Sequence, residues 1–167
     1  MLSVGRLTEQ KHYACLIEAF AKVRETQPVR LMILGEGELR PSLESQVSQL
    51  NLESDVSLPG FVINPYQYMK NAAVFALSSK WEGLPTVLIE ALALGASVVS
   101  TNCRSGPEEI LMNGALGRLV PVDNALALAD GILGCLNSDQ KPPTAESLKR
   151  YQPDWAVREY LKVVEGN

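Results

Sequence analysis

VFALSSKWEGLPTVLIEALALGASVVS, residues 74–100, is the stretch that decides the fold. Its first four residues form an unbroken apolar run, short enough for a buried strand. Residues 78–85 then turn polar and carry Gly83 and Pro85, as a loop running into a helix would. Pro85 suits a first helical turn, where its missing N–H would be unpaired anyway. Residues 86–94 are apolar at nearly every position, and 97–100 are a second short apolar run. Strand, crossover helix and strand of these lengths make one parallel βαβ unit.

The same alternation extends in both directions. Short apolar runs at 2–5, 30–34, 56–58, 74–77, 97–100 and 117–120 read as strands. Helical patterns at 13–25, 38–50, 65–70, 86–94, 107–112 and 125–136 read as the connections. The fold expected is α/β, a Rossmann-like open parallel sheet of about six strands with helices on both faces. Such sheets bind ligands beyond the carboxyl ends of their strands. The informative loops are therefore the post-strand ones, at 5–12, 35–38, 59–64, 78–85 and 101–107. Residues 137–143 are polar with a double proline and read as a linker; 153–164 read as a closing amphipathic helix. This divides the chain into a ligand-binding domain over 1–137 and a linker with helix over 138–167. The chain opens directly on a strand with no lead-in, as a domain taken from a longer protein would.

The 167 residues suffice for one domain with a core, and 46% apolar against 20% charged content is globular composition. A net charge of −4 gives no sign of nucleic acid or an anionic membrane as partner. Cys15, Cys103 and Cys135 are odd in number, lack metal-ligand spacing and sit in or beside apolar stretches, so they read as reduced core thiols. That favours a reducing, cytoplasmic location. No apolar run is long enough to span a membrane, and no secretory signal is visible.

Within the deciding stretch, Glu90 stands alone in the apolar run Val87-Leu88-Ile89-Glu90-Ala91-Leu92. A helix apolar all round is a buried helix. A carboxylate there must be paired or hydrogen-bonded, since a bare one costs several kcal/mol or more. Glu82 lies eight positions earlier, in the loop before the helix. Two carboxylates at one helix entrance suit a hydroxyl-rich ligand, because a carboxylate can accept from both hydroxyls of a vicinal diol. A solvated loop charge at Glu82 and a core carboxylate paired to a structural arginine at Glu90 are the plainer alternatives. Gly83 gives backbone access, and the free N–H groups of the helix that follows make a natural phosphate seat.

The other loops add to this. Arg6 and Lys11 follow the first strand and suit a diphosphate, the arginine forking two oxygens and the lysine acting as a mobile point charge; two solvated surface charges would look the same. Gly35 and Gly37 permit a close backbone approach or merely a tight turn. Gly60-Phe61-Val62 could face a base through main-chain groups, or be a buried aromatic turn. Ser105-Gly106-Pro107 reads as a turn into a helix whose dipole Glu108 and Glu109 complement. His12, the lone histidine, has no triad or metal partner in view and reads as a surface or packing residue. No Asp-x-Asp pair occurs.

Taken in order, VGRLTEQK, LMILGEGELR, VSLPGFV, ALSSKWEGLPTVLIEALALGASVVST, SGPEEIL and GALGRLVP resemble the C-terminal, donor-binding domain of GT-B retaining glycosyltransferases of family 4, the glycosyl transferases group 1. The likeness runs from about residue 2 to 136, and Glu82 and Glu90 have the family's glutamate spacing. What the resemblance implies is a domain that binds a nucleotide-sugar, UDP-linked by preference. Catalytic roles would fall to Arg6 and Lys11 on the donor diphosphate and to Glu82 at the donor sugar. Glu90 would accept from the ribose diol. Main chain at Gly83, Leu84, Pro85, Thr86 and Val87 would meet the phosphates, Gly60, Phe61 and Val62 the base, and Gly35 would line the site. No cofactor and no metal is implied, in keeping with the missing Asp-x-Asp. The acceptor would bind on a separate N-terminal domain, which the closing helix would touch, and the isolated domain would transfer little or nothing. Peripheral membrane association of the longer protein is left open.

Three positions depart from the family pattern. His12 stands where glycine is usual, Ser97 where proline is common, and Glu108 where arginine is often found. Two rival readings are another GT-B activity, such as a sugar-nucleotide epimerase or a phosphorylase, and a non-catalytic interaction module. No pyridoxal-binding lysine motif supports a phosphorylase. The Arg6, Lys11, Glu82 and Glu90 set argues against a module that has lost its ligand.

Overall fold

A computed structural model describes residues 1–137, 148–151 and 154–155. Within them six parallel strands form one sheet: β1 (Leu2–Val4), β2 (Leu31–Leu34), β3 (Val56–Gly60), β4 (Val74–Leu77), β5 (Ser97–Thr101) and β6 (Arg118–Val120). Their order is β3-β2-β1-β4-β5-β6. The connecting helices are α1 (Tyr13–Arg24), α2 (Arg40–Gln49), α3 (Tyr66–Lys70), α4 (Thr86–Ala93), α5 (Pro107–Ile110) and α6 (Ala125–Leu136). The expected linker and closing helix lie almost wholly outside the described residues.

Alternate strand residues feed two cores, as a period of two requires when both faces are covered. Leu31, Ile33, Val74, Ala76, Val99 and Val120 join α1, α2 and α6 in one. Leu2, Leu34, Phe75, Leu77 and Val98 join α3, α4 and α5 in the other. Strand order reverses between β1 and β4, which makes the crevice between their carboxyl ends the place where a ligand is expected in a doubly wound sheet.

Most element ends shift from expectation by a residue or two, and two of these shifts have a tertiary reason. β3 runs two residues further, to Gly60, because it carries a bulge: Met32 pairs with Ser57, but Leu34 pairs with Gly60. The extra residue accommodates Pro59 on this edge strand. Helix α2 starts at Arg40 rather than 38, because Leu39 donates to the Leu7 carbonyl (3.0 Å) and closes a turn instead.

Candidate functional site

Loops one and two, at 5–12 and 35–38, rest on each other. Gly5 N–H donates to the Leu34 carbonyl (3.0 Å) and Leu7 N–H to that of Glu36 (2.8 Å), prolonging the β1–β2 pairing beyond the strands. Gly35 has φ +143°, and a β-carbon there would lie 1.9 Å from the Gly5 carbonyl oxygen; one on Gly37 would lie 2.4 Å from that of Leu7. These two glycines therefore exist first for packing between loops. Gly35 also lines a cavity of about 570 Å³ with Arg6, Glu36, Phe61, Val62 and Ile63. The Gly60 carbonyl accepts from Gly35 N–H at 2.9 Å, which ties the loop after β3 to that after β2. Phe61 is 76% exposed, which overturns the alternative of a buried aromatic turn.

Arg6 is exposed and has no hydrogen-bond or ion-pair partner among the described residues. Lys11 is placed by the 3-10 turn Glu9–Lys11. Its Nζ lies 2.6 Å from Glu82 Oε1, and both side chains are largely buried, at 15% and 6% exposure. Glu82 is thus an inward-facing carboxylate and not a solvated loop charge. Ser79 Oγ donates to the same Oε1 at 2.6 Å. Ser78 Oγ donates to the Lys11 carbonyl (2.7 Å) and Thr101 Oγ1 to that of Ser79 (2.6 Å). Sequence reasoning passed over these hydroxyls. Their signal was a Ser-Ser pair at the end of a wholly apolar strand, where buried hydroxyls must find partners.

Glu90 departs from expectation. Helix α4 buries only Leu88, Ala91 and Leu92, so it is one-sided, and Glu90 is half-buried with no partner among the described residues. Pro85 is buried and sits just before the first helical residue, and no side chain caps the helix. Thr86 is exposed, Val87 half-buried and Leu84 58% exposed at this end. A β-carbon on Gly83 would meet nothing within 4 Å, so the backbone there is open to a ligand. The loop after β5 closes beside it: a β-carbon on Gly106 would lie 2.8 Å from the Gly83 carbonyl oxygen. Arg104 bridges Trp81 as β5 bridges β4.

His12 takes φ +50°, the left-handed conformation that glycine adopts at no steric cost. The backbone of this loop is therefore the glycine-like one despite the substitution. The imidazole Nε2 lies 2.9 Å from Asp123 Oδ1. Burial lowers its pKa most, with Lys80 adding to that, while Asp123 and Glu9 oppose. All three cysteines are buried free thiols, and burial pushes Cys15 up to about 11 and raises Cys103 and Cys135. No group of three His, Cys, Asp or Glu side chains suited to a metal comes together among the described residues. A hollow of about 830 Å³ at the opposite edge, lined by Met1, Arg30 and Asp55, lies where the strands begin, away from all these loops.

The fold and its loops define a doubly wound α/β domain whose polar side chains converge at the carboxyl edge beside the switch point. The chain belongs to the glycosyl transferases group 1 family, whose model matches residues 1–155. It is 47% identical over 111 residues to an uncharacterized glycosyltransferase of Methanocaldococcus jannaschii, covering 66% of this chain and 27% of that one. It is 42% identical over 140 residues to the N-acetylgalactosamine-N,N'-diacetylbacillosaminyl-diphospho-undecaprenol 4-alpha-N-acetylgalactosaminyltransferase of Campylobacter jejuni, covering 84% and 38%. The chain thus spans between a quarter and two fifths of the length of these relatives. Among solved structures, Anabaena HepE in complex with UDP superposes with a TM-score of 0.86 at 24% identity, covering 99% of this chain and 48% of that one. TarM of S. aureus superposes at 0.87 and 23% identity, covering 96% and 34%. These likenesses establish the GT-B type of fold.

Proposed function

We propose that this chain is the donor-binding domain of a retaining glycosyltransferase, holding a UDP-linked sugar while a further domain holds the acceptor. The observation that carries this is the carboxyl edge itself, whose loops and following helix bring the Lys11–Glu82 pair together with Arg6 and Glu90, neither of which has a partner among the described residues. An unpaired cation, an unpaired carboxylate, an uncapped helix N-terminus and open backbone at Gly83 match the diphosphate, the ribose diol and the phosphate oxygens in turn. The UDP complexes of the fold's neighbours, HepE and the pneumococcal O-GlcNAc transferase GtfA, lend support to the choice of base.

In this reading Arg6 and Lys11 neutralise the charge that grows on the departing nucleotide as the glycosidic bond breaks. Fixed charges aimed at a developing anion act without reorganisation, which is where electrostatic catalysis gains most. Glu82 accepts from hydroxyls of the sugar, Glu90 from the ribose, and Gly60, Phe61 and Val62 lie against the base, with Gly35 beside them. In this reading residues 1–137 are the donor domain and 138–167 a linker and helix that would contact an N-terminal acceptor domain, without which transfer is slight. Charge neutralisation needs no metal here. Three buried thiols fit the cytoplasm, and among the described residues no helix is long and apolar enough to cross a membrane.

Calorimetric titration with UDP, GDP and ADP in EDTA tests this. Selective binding of UDP is expected, weakened about tenfold or more in Arg6→Ala and Glu90→Ala, the usual scale for one charge-assisted hydrogen bond. Folded protein that binds none of the three, alone or within the longer protein, would overturn it in favour of an interaction module.

A further inference from the structure

Five serine and threonine residues are fully buried among the described residues: Ser3, Ser78, Ser79, Ser100 and Thr101. Ser78, Ser79 and Thr101 gather at the carboxyl ends of β4 and β5, under Lys11 and Glu82. Ser79 is fully buried, and its Oγ sits 2.6 Å from Glu82 Oε1. Its own carbonyl accepts from Thr101 Oγ1 at 2.6 Å, so the backbone that carries it is tied to β5. Lys11 Nζ approaches the same Glu82 oxygen at 2.6 Å. Both donors fall on Oε1, and Oε2 has no partner among the described residues.

A carboxylate has two oxygens with about two lone-pair sites each. Here one oxygen is spent on the protein and the other is unspent. Lys11 alone would not fix that division. Its ammonium is a mobile point charge on a flexible stem, and it would satisfy either oxygen. Ser79 has a short side chain, no exposure and a backbone held on β5, so it can serve only the oxygen that faces it.

We propose that Ser79 is a positioning residue for the donor sugar: it pins Glu82 Oε1 to the protein and so presents Oε2 to a sugar hydroxyl. This rests on the donor-site reading above, and adds that sugar recognition depends on a residue that touches no ligand. Among the described residues Ser79 shares no hydrogen bond with Arg6 or Glu90, so its loss should act on the sugar half of the donor and spare the nucleotide half.

The test is titration of the chain with UDP and with UDP-glucose, UDP-galactose, UDP-N-acetylglucosamine and UDP-N-acetylgalactosamine. The quantity read is the ratio of the tightest sugar nucleotide's Kd to that of UDP. Ser79→Ala should raise this ratio about tenfold, as loss of a hydrogen bond to a charged group would, with UDP itself changed less than about threefold. Ser79→Cys, which fills the space with a weak donor, should behave alike and covers the case in which the alanine variant folds poorly. Ser79→Thr, which keeps the hydroxyl, should restore the ratio. In a Glu82→Gln background, Ser79→Ala should leave the ratio where Glu82→Gln had put it, since a residue acting through another has no further effect once that one is gone. An unchanged ratio in both Ser79 variants, or equal weakening of UDP and sugar nucleotide, overturns the inference and leaves the donor site standing. Failure of the unaltered sequence to bind UDP both alone and within the longer protein removes the donor site itself, and with it the role of Ser79.

Discussion

At the scale of single residues, position 12 shows how a departure from a family pattern can leave geometry intact. A non-glycine residue at φ +50° is uncommon, and holding it there costs about 1–2 kcal/mol in local sterics. The imidazole's approach to Asp123 helps to offset that. Because burial lowers the His12 pKa, the folded chain takes up its proton less readily than the unfolded one, whose ordinary value is 6.5. The unfolded state therefore gains as protons bind to it first. Stability from this residue is complete above about pH 6.5 and is lost as pH falls through the lower, folded value. Urea midpoints measured across that range should fall with acid in the unaltered chain and fall less in His12→Gln. With one histidine in the chain, the difference between the two curves isolates this residue. Parallel curves would show that His12 is as free to protonate folded as unfolded. The sequence left His12 as a surface or packing residue, because nothing in it brings position 12 to position 123. Glu82 was legible as a candidate from its place before a helix. Ser79 was not, since its meaning lies in which carboxylate oxygen it faces.

At the scale of elements, the sequence placed all six strands and all six connecting helices, because a switch between unbroken short apolar runs and longer helical patterns is a strong signal. What it missed were places where one element's end is set by another. α2 begins late because Leu39 is drawn to Leu7, and β3 bulges because Pro59 cannot donate to β2. It also overstated the burial of α4. Apolar composition on all sides marks a helix that could be buried, while this one, beside the crevice, leaves Thr86 and Ala93 exposed and Glu90 half so. Gly35 and Gly83 look alike in sequence, each in a post-strand loop, and differ wholly in surroundings. Gly35→Ala would drive a methyl into the Gly5 carbonyl and should cost at least about 3 kcal/mol, seen as a large loss of melting temperature or failure to fold. Gly83→Ala meets open space and should melt within about 1 kcal/mol of the unaltered chain, while weakening UDP if a phosphate comes close to that backbone. Equal destabilisation by both would contradict the loop packing described.

At the scale of the whole molecule, one sheet serves two cores. Phe20 belongs to one and Phe75 to the other, and both are fully buried. Each Phe→Ala change should cost about 3–5 kcal/mol. Since β2, β4, β5 and β6 each place side chains in both cores, either substitution should move a single cooperative urea transition, with circular dichroism and tryptophan fluorescence coinciding. Two separated transitions would mean that the faces unfold independently. The ordering of the sheet, with its reversal between β1 and β4, could not be read from the chain, because parallel pairing leaves no local mark on either partner. The joined loops after β1 and β2 carry a practical consequence for anyone recombining family members. Grafting residues 5–12 by themselves would bring in amides cut to fit carbonyls at 34 and 36, and a Leu7 carbonyl that needs the amide of residue 39. The transferable cassette is the pair of segments together, and a library that shuffles them independently would be populated mostly by mismatched halves.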